Sequence, residues 1–474
     1  MTQNREVFPV QRGIRLALIA LVALIAVPAA TVRAATQMPV GFFDDPSFRW
    51  SPDRAANLAA AAAAGATIIH TTADWAKIAP TKPTSAGDPN DPAYKLGDLD
   101  ELVREAGRYG LRVMINITGT PKWANGGLPE NHMPTKLSDL TTFAQLLAVR
   151  YDGENPGVGS VDLWSVWNEP NLQQFLTPQY VGKKIVSPAN YAKLYKAAYA
   201  GIKAGNPAAK VAIGETSAQG RDKPATGVSQ TVSPGMFAQL LAKTPGLKFD
   251  AWAHHPYPTS PSAKPLEQVR FPNVTLSTLP TFEVDLKKWF HRTVPVWITE
   301  YGHETKPGEP HGVTLAQQAT YAKQALTVAK NDPNVQMFIW FTFRDSSGNP
   351  WQSGLEQSSG VHKPSYAAFS SLARLIDGTT QTIAAGGSPR LTLFVPYLSF
   401  RDEVGSTLGV TYHVYNGSKQ MAVGQPTAVL APDQSVTINL AGLAPKKGQT
   451  YRVTAAVNDV NGNVVTRTAT LKVP

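Results

Sequence analysis

Two stretches of the chain end apolar runs in groups able to do acid–base or nucleophilic work. Residues 164–171 read WSVWNEPN and close on Asn168-Glu169-Pro170, while residues 296–302 read VWITEYG and close on Glu300. Other apolar runs end in the same manner: in Asp44 and Asp45, in Asp74 and Trp75, in Glu215, in His254-His255 with Tyr257, and in Arg344 and Asp345. Carboxylates interleaved with aromatic rings suit chemistry on a sugar. Glycosidic cleavage needs one carboxylic acid to protonate the leaving oxygen and a second carboxylate to attack or to activate water. Aromatic faces match the C–H faces of a pyranose, and carboxylates and amides hold its hydroxyls. Trp75 and Trp123 are the candidate rings, whereas His254 reads as a packed or capping histidine.

Composition removes the main competitors. The 474 residues include no cysteine, which excludes thiolate metal sites, iron–sulfur clusters, a cysteine nucleophile and a disulfide scaffold. No compact set of metal ligands stands out, so neither metal nor cofactor is expected. The net charge of +10 comes from 44 basic against 34 acidic residues without a dense basic run. Nucleic-acid binding draws on a concentrated basic stripe, so a nucleic-acid partner is not expected.

The elements that would carry these groups alternate. Apolar runs at 38–43, 66–75, 111–119, 161–170, 210–218, 249–258, 294–302 and 335–345 read as buried parallel strands. Helical segments separate them, with a last one near 365–376. Ser51-Pro52, Ser187-Pro188 and Ser233-Pro234 are expected to place a hydroxyl at an N-cap and proline at the first helical position. Gly65, Gly110 and Gly205 are expected to stop helices. Eight strand–helix units predict a (β/α)₈ TIM barrel, an α/β architecture whose reactive groups sit at the carboxyl ends of the strands. An open doubly wound sheet would need a glycine-rich turn after the first strand, where Gly41 stands alone.

With the strands placed, WSVWNEPN on strand four and VWITEYG on strand seven resemble glycoside hydrolase clan A, the retaining barrel enzymes with glutamates on those two strands. TPKWA after strand three and HPY on strand six are similar too. Within the clan the layout most resembles family 39 and the cellulase-like relatives of family 5. The resemblance implies Glu169 as acid/base and Glu300 as nucleophile. It also implies Asn168 on the sugar hydroxyl beside the reacting carbon, Tyr257 as a hydrogen-bond donor to the nucleophile, and His255 near the acid/base. The clan's strand-eight tryptophan has Trp340 as its only counterpart, with Phe341 and Phe343 as alternatives. Strand two lacks the arginine that family 5 places near its nucleophile. Pro170 disfavours helical geometry at Glu169 and is expected to hold it extended.

Both chain ends differ in texture. Arg5, Arg12 and Arg15 precede an apolar run over 16–30, with Val32 and Ala34 placed for cleavage. This is the layout of a secretory signal peptide over 1–34, and the run is shorter than the ~20 residues that span a bilayer. The mature chain is therefore expected to be secreted or cell-surface and to carry no membrane span, the alternative being an uncleaved N-terminal anchor. The barrel is expected over 35–380. Residues 381–474 show strand alternation, turn signals at Asn416-Gly417 and Asn461-Gly462, and no helical period, which predicts a β-sandwich of the immunoglobulin or fibronectin type. The whole reads as a retaining glycosidase for an oligo- or polysaccharide. A carbohydrate-binding surface protein on a non-catalytic barrel is the alternative.

Overall fold

Eight parallel strands hydrogen-bond in chain order and close on themselves in the computed structural model: β1 (Val40–Phe43), β2 (Ile68–Asp74), β3 (Arg112–Thr118), β4 (Leu163–Val166), β5 (Lys210–Ser217), β6 (Ala251–His255), β7 (Val296–Tyr301) and β8 (Val335–Phe341). The structure describes residues 38–155, 157–347, 350–377, 380–386, 389–394, 406–430, 435–458 and 464–474. The expected signal peptide and the Asn461-Gly462 turn lie outside them. Among the described residues no helix is long and apolar enough to cross a membrane.

Strand alternation divides the barrel into two apolar layers. Ile68, Met114, Leu163, Ala253, Met337 and Ile339 fill the interior. Their sequence neighbours, such as Ile69, Val113, Trp164, Trp252 and Phe338, face the surrounding helices. Pairing of β1 with β8 closes the ring, and Asp44 extends that seam: its carboxylate accepts hydrogen bonds from the backbone N–H of Phe343 (3.1 Å) and of Arg344 (2.9 Å) just beyond β8.

Helix termini follow the expectations in part. Ser233 caps the helix Pro234–Leu241 by accepting from the Met236 N–H. Ser187 instead begins its own helix, Ser187–Gly205, and its buried hydroxyl has no hydrogen-bond partner among the described residues. Ser51 lies two residues too early, because the next helix starts at Arg54 with Asp53 at its N-cap, and the Ser51 hydroxyl accepts from the Asp53 N–H. Gly65 (φ +98°) and Gly110 (φ +68°) stop helices in the left-handed region. Gly205 also ends its helix and has a further reason to be glycine. A Cβ at Gly201 would lie 2.2 Å from the Thr141 carbonyl oxygen, and one at Gly205 would lie 2.7 Å from that of Gln145. The two glycines let Ser187–Gly205 seat against the backbone of Leu137–Arg150.

Gly201→Ala therefore sets two effects against each other. Alanine gains ~1 kcal/mol of helix propensity, but the overlap is with a backbone carbonyl that cannot turn aside. Overpacking of this kind costs ~1–3 kcal/mol. Urea unfolding should show a net loss of stability.

After the barrel, strands Thr407–Asn416, Lys419–Gly424, Thr427–Val429, Thr450–Asn458 and Val464–Lys472 form one sheet, and Arg390–Phe394 pairs with Ser435–Asn439 in a second. Leu391, Val436 and Ile438 share a core with Val410, Tyr412, Val453 and Val457, as in a β-sandwich. Gly417 (φ +59°) makes the expected turn. Thr380–Thr382 pairs with Val464–Lys472 in parallel and belongs to the first sheet.

Candidate active site

Most acids at the carboxyl ends of the strands are committed to structure. Asp44 joins β1 to β8. Asp45 accepts from Thr71 and lies 3.8 Å from Arg49. Asp74 accepts from the Lys77 N–H and pairs with that lysine's ammonium at 3.0 Å. Asp345 pairs with the buried Lys363 at 2.6 Å. His254 is fully buried, with Nδ1 2.9 Å from the Thr216 hydroxyl and Nε2 3.0 Å from the Val274 carbonyl. This is the packed role expected for it.

Glu169, Glu215 and Glu300 meet instead at one imidazole. His255 Nε2 donates to Glu215 Oε2 (2.8 Å), and Nδ1 donates to Glu169 Oε1 (3.1 Å) with Glu300 Oε2 at 3.6 Å. Tyr257 donates from its hydroxyl to Glu300 Oε2 (3.1 Å), and Thr299 donates to Glu215 Oε2 (2.6 Å). One nitrogen thus reaches both Glu169 and Glu300. The sum of its two distances limits how far apart those oxygens can lie, and that limit falls at the bottom of the ~6.5–9.5 Å range of inverting glycosidases.

The backbone is bent to achieve this. Trp167 (φ +69°), Glu169 (φ +36°) and Glu215 (φ +47°) occupy the left-handed region, which bulky residues enter at a cost of order 1–3 kcal/mol each and which is concentrated at functional sites. Glu169 is therefore not extended as Pro170 suggested. Proline excludes the right-handed helical region but leaves this second escape. Glu215 is the extra residue of a β-bulge: Gly214 pairs with Ala253 and Thr216 with His254, and Glu215 is left between them.

Charge in this cluster is set by burial against mutual attraction. Burial pushes the Glu300 carboxyl up to about 7; His255 pulls it back, Glu169 and Glu215 push it further up, and the Tyr257 hydrogen bond offsets a part. Tyr257 thus acts in the expected direction, yet burial outweighs it. Burial also works against a charged His255, but Glu300, Glu169 and Glu215 together raise it well above the usual imidazole range. Glu215, although fully buried, is held below the usual carboxylate range by its bond to His255. The Tyr257 hydroxyl, raised far up by burial and by Glu300, stays a donor.

A pH dependence follows. A nucleophilic carboxylate must be ionised, so kcat/KM should fall about tenfold per unit as pH drops below the ionisation near 7. Tyr257→Phe removes a bond that favours the ionised form. The same limb, read from kcat/KM against pH, should then move to higher pH.

The structure brings Glu169, Glu300, His255 and Tyr257 together. Asn168 is half-buried beside Glu169, and among the described residues its amide makes no protein hydrogen bond. Trp123 is half-buried, its indole N–H bonded to the Ala79 carbonyl (2.8 Å) and its ring edge-on to Trp75. Two expected substrate rings are corrected. Trp75 is 1% exposed because it starts the turn Trp75–Ile78 and stacks on Phe143. Trp340 is fully buried because its parity on β8 points it at the helices, with its indole N–H on the Ser353 carbonyl (2.9 Å). Phe341, one residue on, takes the mouth-facing parity. Beside it Trp351, missed in the sequence, is 39% exposed and lies 5.4 Å from Tyr257 and 5.9 Å from Phe341, ring to ring. Nothing in its surrounding loop sequence marked it. A cavity of about 590 Å³ opens past Phe341 at the ends of β1 and β2, walled by Phe43, Arg49, Trp50, Lys77 and Asp98. No cluster of metal ligands occurs among the described residues.

A closed parallel barrel with carboxylates gathered at its carboxyl end is the architecture of the clan A glycoside hydrolases, and known proteins agree. A family 39 glycoside hydrolase from the gut symbiont Bacteroides cellulosilyticus WH2 superposes with a TM-score of 0.52 at 18% identity, over 86% of this chain and 80% of that one. A family 39 β-xylosidase from Caulobacter crescentus gives 0.51 at 15% identity, over 85% and 95%. These share the fold. The family model described as cellulase (glycosyl hydrolase family 5) matches residues 34–345. The chain belongs to that family, and its activity is that of a glycosidase. No curated protein sequence matches it.

Proposed function

We propose that the chain is an exported retaining glycosidase acting on a β-linked oligo- or polysaccharide, with Glu300 as nucleophile and Glu169 as acid/base. The observation that carries this reading is the single His255 nitrogen within 3.1 Å of one carboxylate and 3.6 Å of the other. Sharing one nitrogen holds the two carboxylates at or below the shortest separations of inverting enzymes, which favours direct attack over an intervening water. In the first step Glu300 Oε2 attacks the anomeric carbon while Glu169 gives its proton to the departing oxygen. In the second, Glu169 takes a proton from water, which attacks the same carbon and releases Glu300. Asn168, with its amide uncommitted to protein, holds a hydroxyl of the reacting sugar. Trp351 and Phe341 offer apolar faces to the ring, Trp123 lies at the rim, and the adjoining cavity is of a size to take further sugar units.

Two displacements retain anomeric configuration. Proton NMR of the fresh product, recorded before mutarotation, should show the anomer of the substrate. An inverted product would mean that water, rather than Glu300, attacks.

A further inference from the structure

We propose that Glu215 is a positioning residue for the reaction: from inside the barrel it anchors His255 through Nε2, so that the opposite N–H can serve Glu169 and Glu300 in turn. The proposal rests on the retaining reading above and adds a third carboxylate to it. Glu215 cannot touch sugar. Its residue exposure is 0%, below the mouth, and its Oε2 accepts from both His255 Nε2 (2.8 Å) and the Thr299 hydroxyl (2.6 Å). Two donors on one oxygen favour the ionised form, in keeping with a carboxyl held below the usual carboxylate range by its bond to His255.

The local fold is built for this contact. Strand alternation alone would send the residue after Gly214 outward, and the bulge between Gly214 and Thr216 re-aims it. Gly214 (φ +114°) has no room for a Cβ, which would lie 2.7 Å from the Trp252 ring and 2.8 Å from the Ala253 carbonyl. The bulge therefore has one sequence solution at its first position and delivers Glu215 to the ring.

Every titratable group facing His255 bears on its charge. Glu169 on β4, Glu215 on β5 and Glu300 on β7 favour the imidazolium. His254 beside it on β6 and His70 across the barrel on β2 oppose it, but burial holds those two down to about 3 and about 4, so they are neutral. Tyr257 stays a neutral hydroxyl. A fully buried cation is tolerated only with a matched anion, and Glu215 is the one anion of the three that the reaction leaves unchanged.

The ring keeps both of its protons throughout. While Glu169 holds the catalytic proton, the Nδ1–H turns to Glu300 and stabilises the attacking carboxylate. Once Glu300 is glycosylated and neutral, and Glu169 is ionised, the same N–H returns to Glu169. No proton leaves the imidazolium; only its acceptor alternates, across the 3.1 Å and 3.6 Å contacts.

Histidine-labelled protein tests this by ¹⁵N NMR, with His255 assigned through the signal lost in His255→Gln. In the wild type at pH 8 both of its nitrogens should show protonated shifts. In Glu215→Gln the ring should titrate at lower pH, kcat should fall ~10²-fold with KM little changed, and the pH profile should shift with the imidazole. Glu215→Asp, which keeps the charge, should restore the imidazolium signal. A neutral, single-tautomer His255 in the wild type overturns the proposal, and that spectrum decides even where Glu215→Gln fails to fold. Unaltered kcat and pH profile in folded Glu215→Gln also overturn it. A wild type that inverts configuration while showing the imidazolium signal would count against the retaining reading, not against the anchoring of His255.

Discussion

Glu300→Gln should lower kcat by at least ~10⁴-fold while leaving the thermal transition in place. The substitution removes the atom that forms the bond to the anomeric carbon, and an amide has no comparable nucleophile to offer. It also removes a buried carboxyl whose ionisation burial disfavours, so folding should be neutral or slightly improved. Glutamine keeps an acceptor for the Tyr257 hydroxyl and preserves the shape of the site. A 2-fluoro glycoside with an activated leaving group should label the wild type on the peptide carrying Glu300 and leave the variant unlabelled. Residual activity above one-hundredth of wild type would transfer the nucleophile's role to another group.

Glu169→Ala should show a leaving-group signature that Glu300→Gln lacks. Protonation of the departing oxygen is worth ~10²–10⁴-fold where that oxygen is a poor leaving group. For a polysaccharide or alkyl glycoside, kcat/KM should fall by that range. For an aryl glycoside with an acidic phenol the first step needs no proton and should continue at close to its wild-type rate. Water attack on the glycosyl-enzyme would then stall, giving a burst of phenol and a lowered KM. Azide, which needs no general base, should restore turnover and yield a glycosyl azide of retained configuration. Equal losses on both substrate types, without azide rescue, would remove Glu169 from the acid/base role.

The fold was legible because parallel barrel strands are buried on both faces and announce themselves as apolar runs. All eight lie inside the stretches read for them. Glu169, Glu300, His255 and Tyr257 were legible for a related reason: a titratable group ending such a run lands at the barrel mouth. Which strand-eight ring faces the mouth was not legible. β8 alternates regularly, with Met337 and Ile339 inside and Phe338 and Trp340 toward the helices, but a run apolar on both faces offers no polar side from which to set the parity. Glu215 was recognised as a mouth carboxylate, but the bulge that turns it inward depends on tertiary packing around Gly214. Short edge strands such as Thr427–Val429 carry too few residues to show a period. Gly205 ends its helix as expected, but its second role, close approach between two helices, leaves no mark on either one alone.

The Asp44 contact to Phe343 and Arg344 has a consequence for synthesis. It joins residues about three hundred positions apart, so a nascent chain cannot make it until the eighth strand has left the ribosome. Until then β1 has a partner only in β2, and its other edge presents unpaired backbone groups to whatever strand comes near. A stalled or truncated product ending before β8 should therefore expose a sticky edge rather than a smaller stable enzyme. The last turn of the barrel sequence acts as a latch that decides when the protein stops being a client for chaperones.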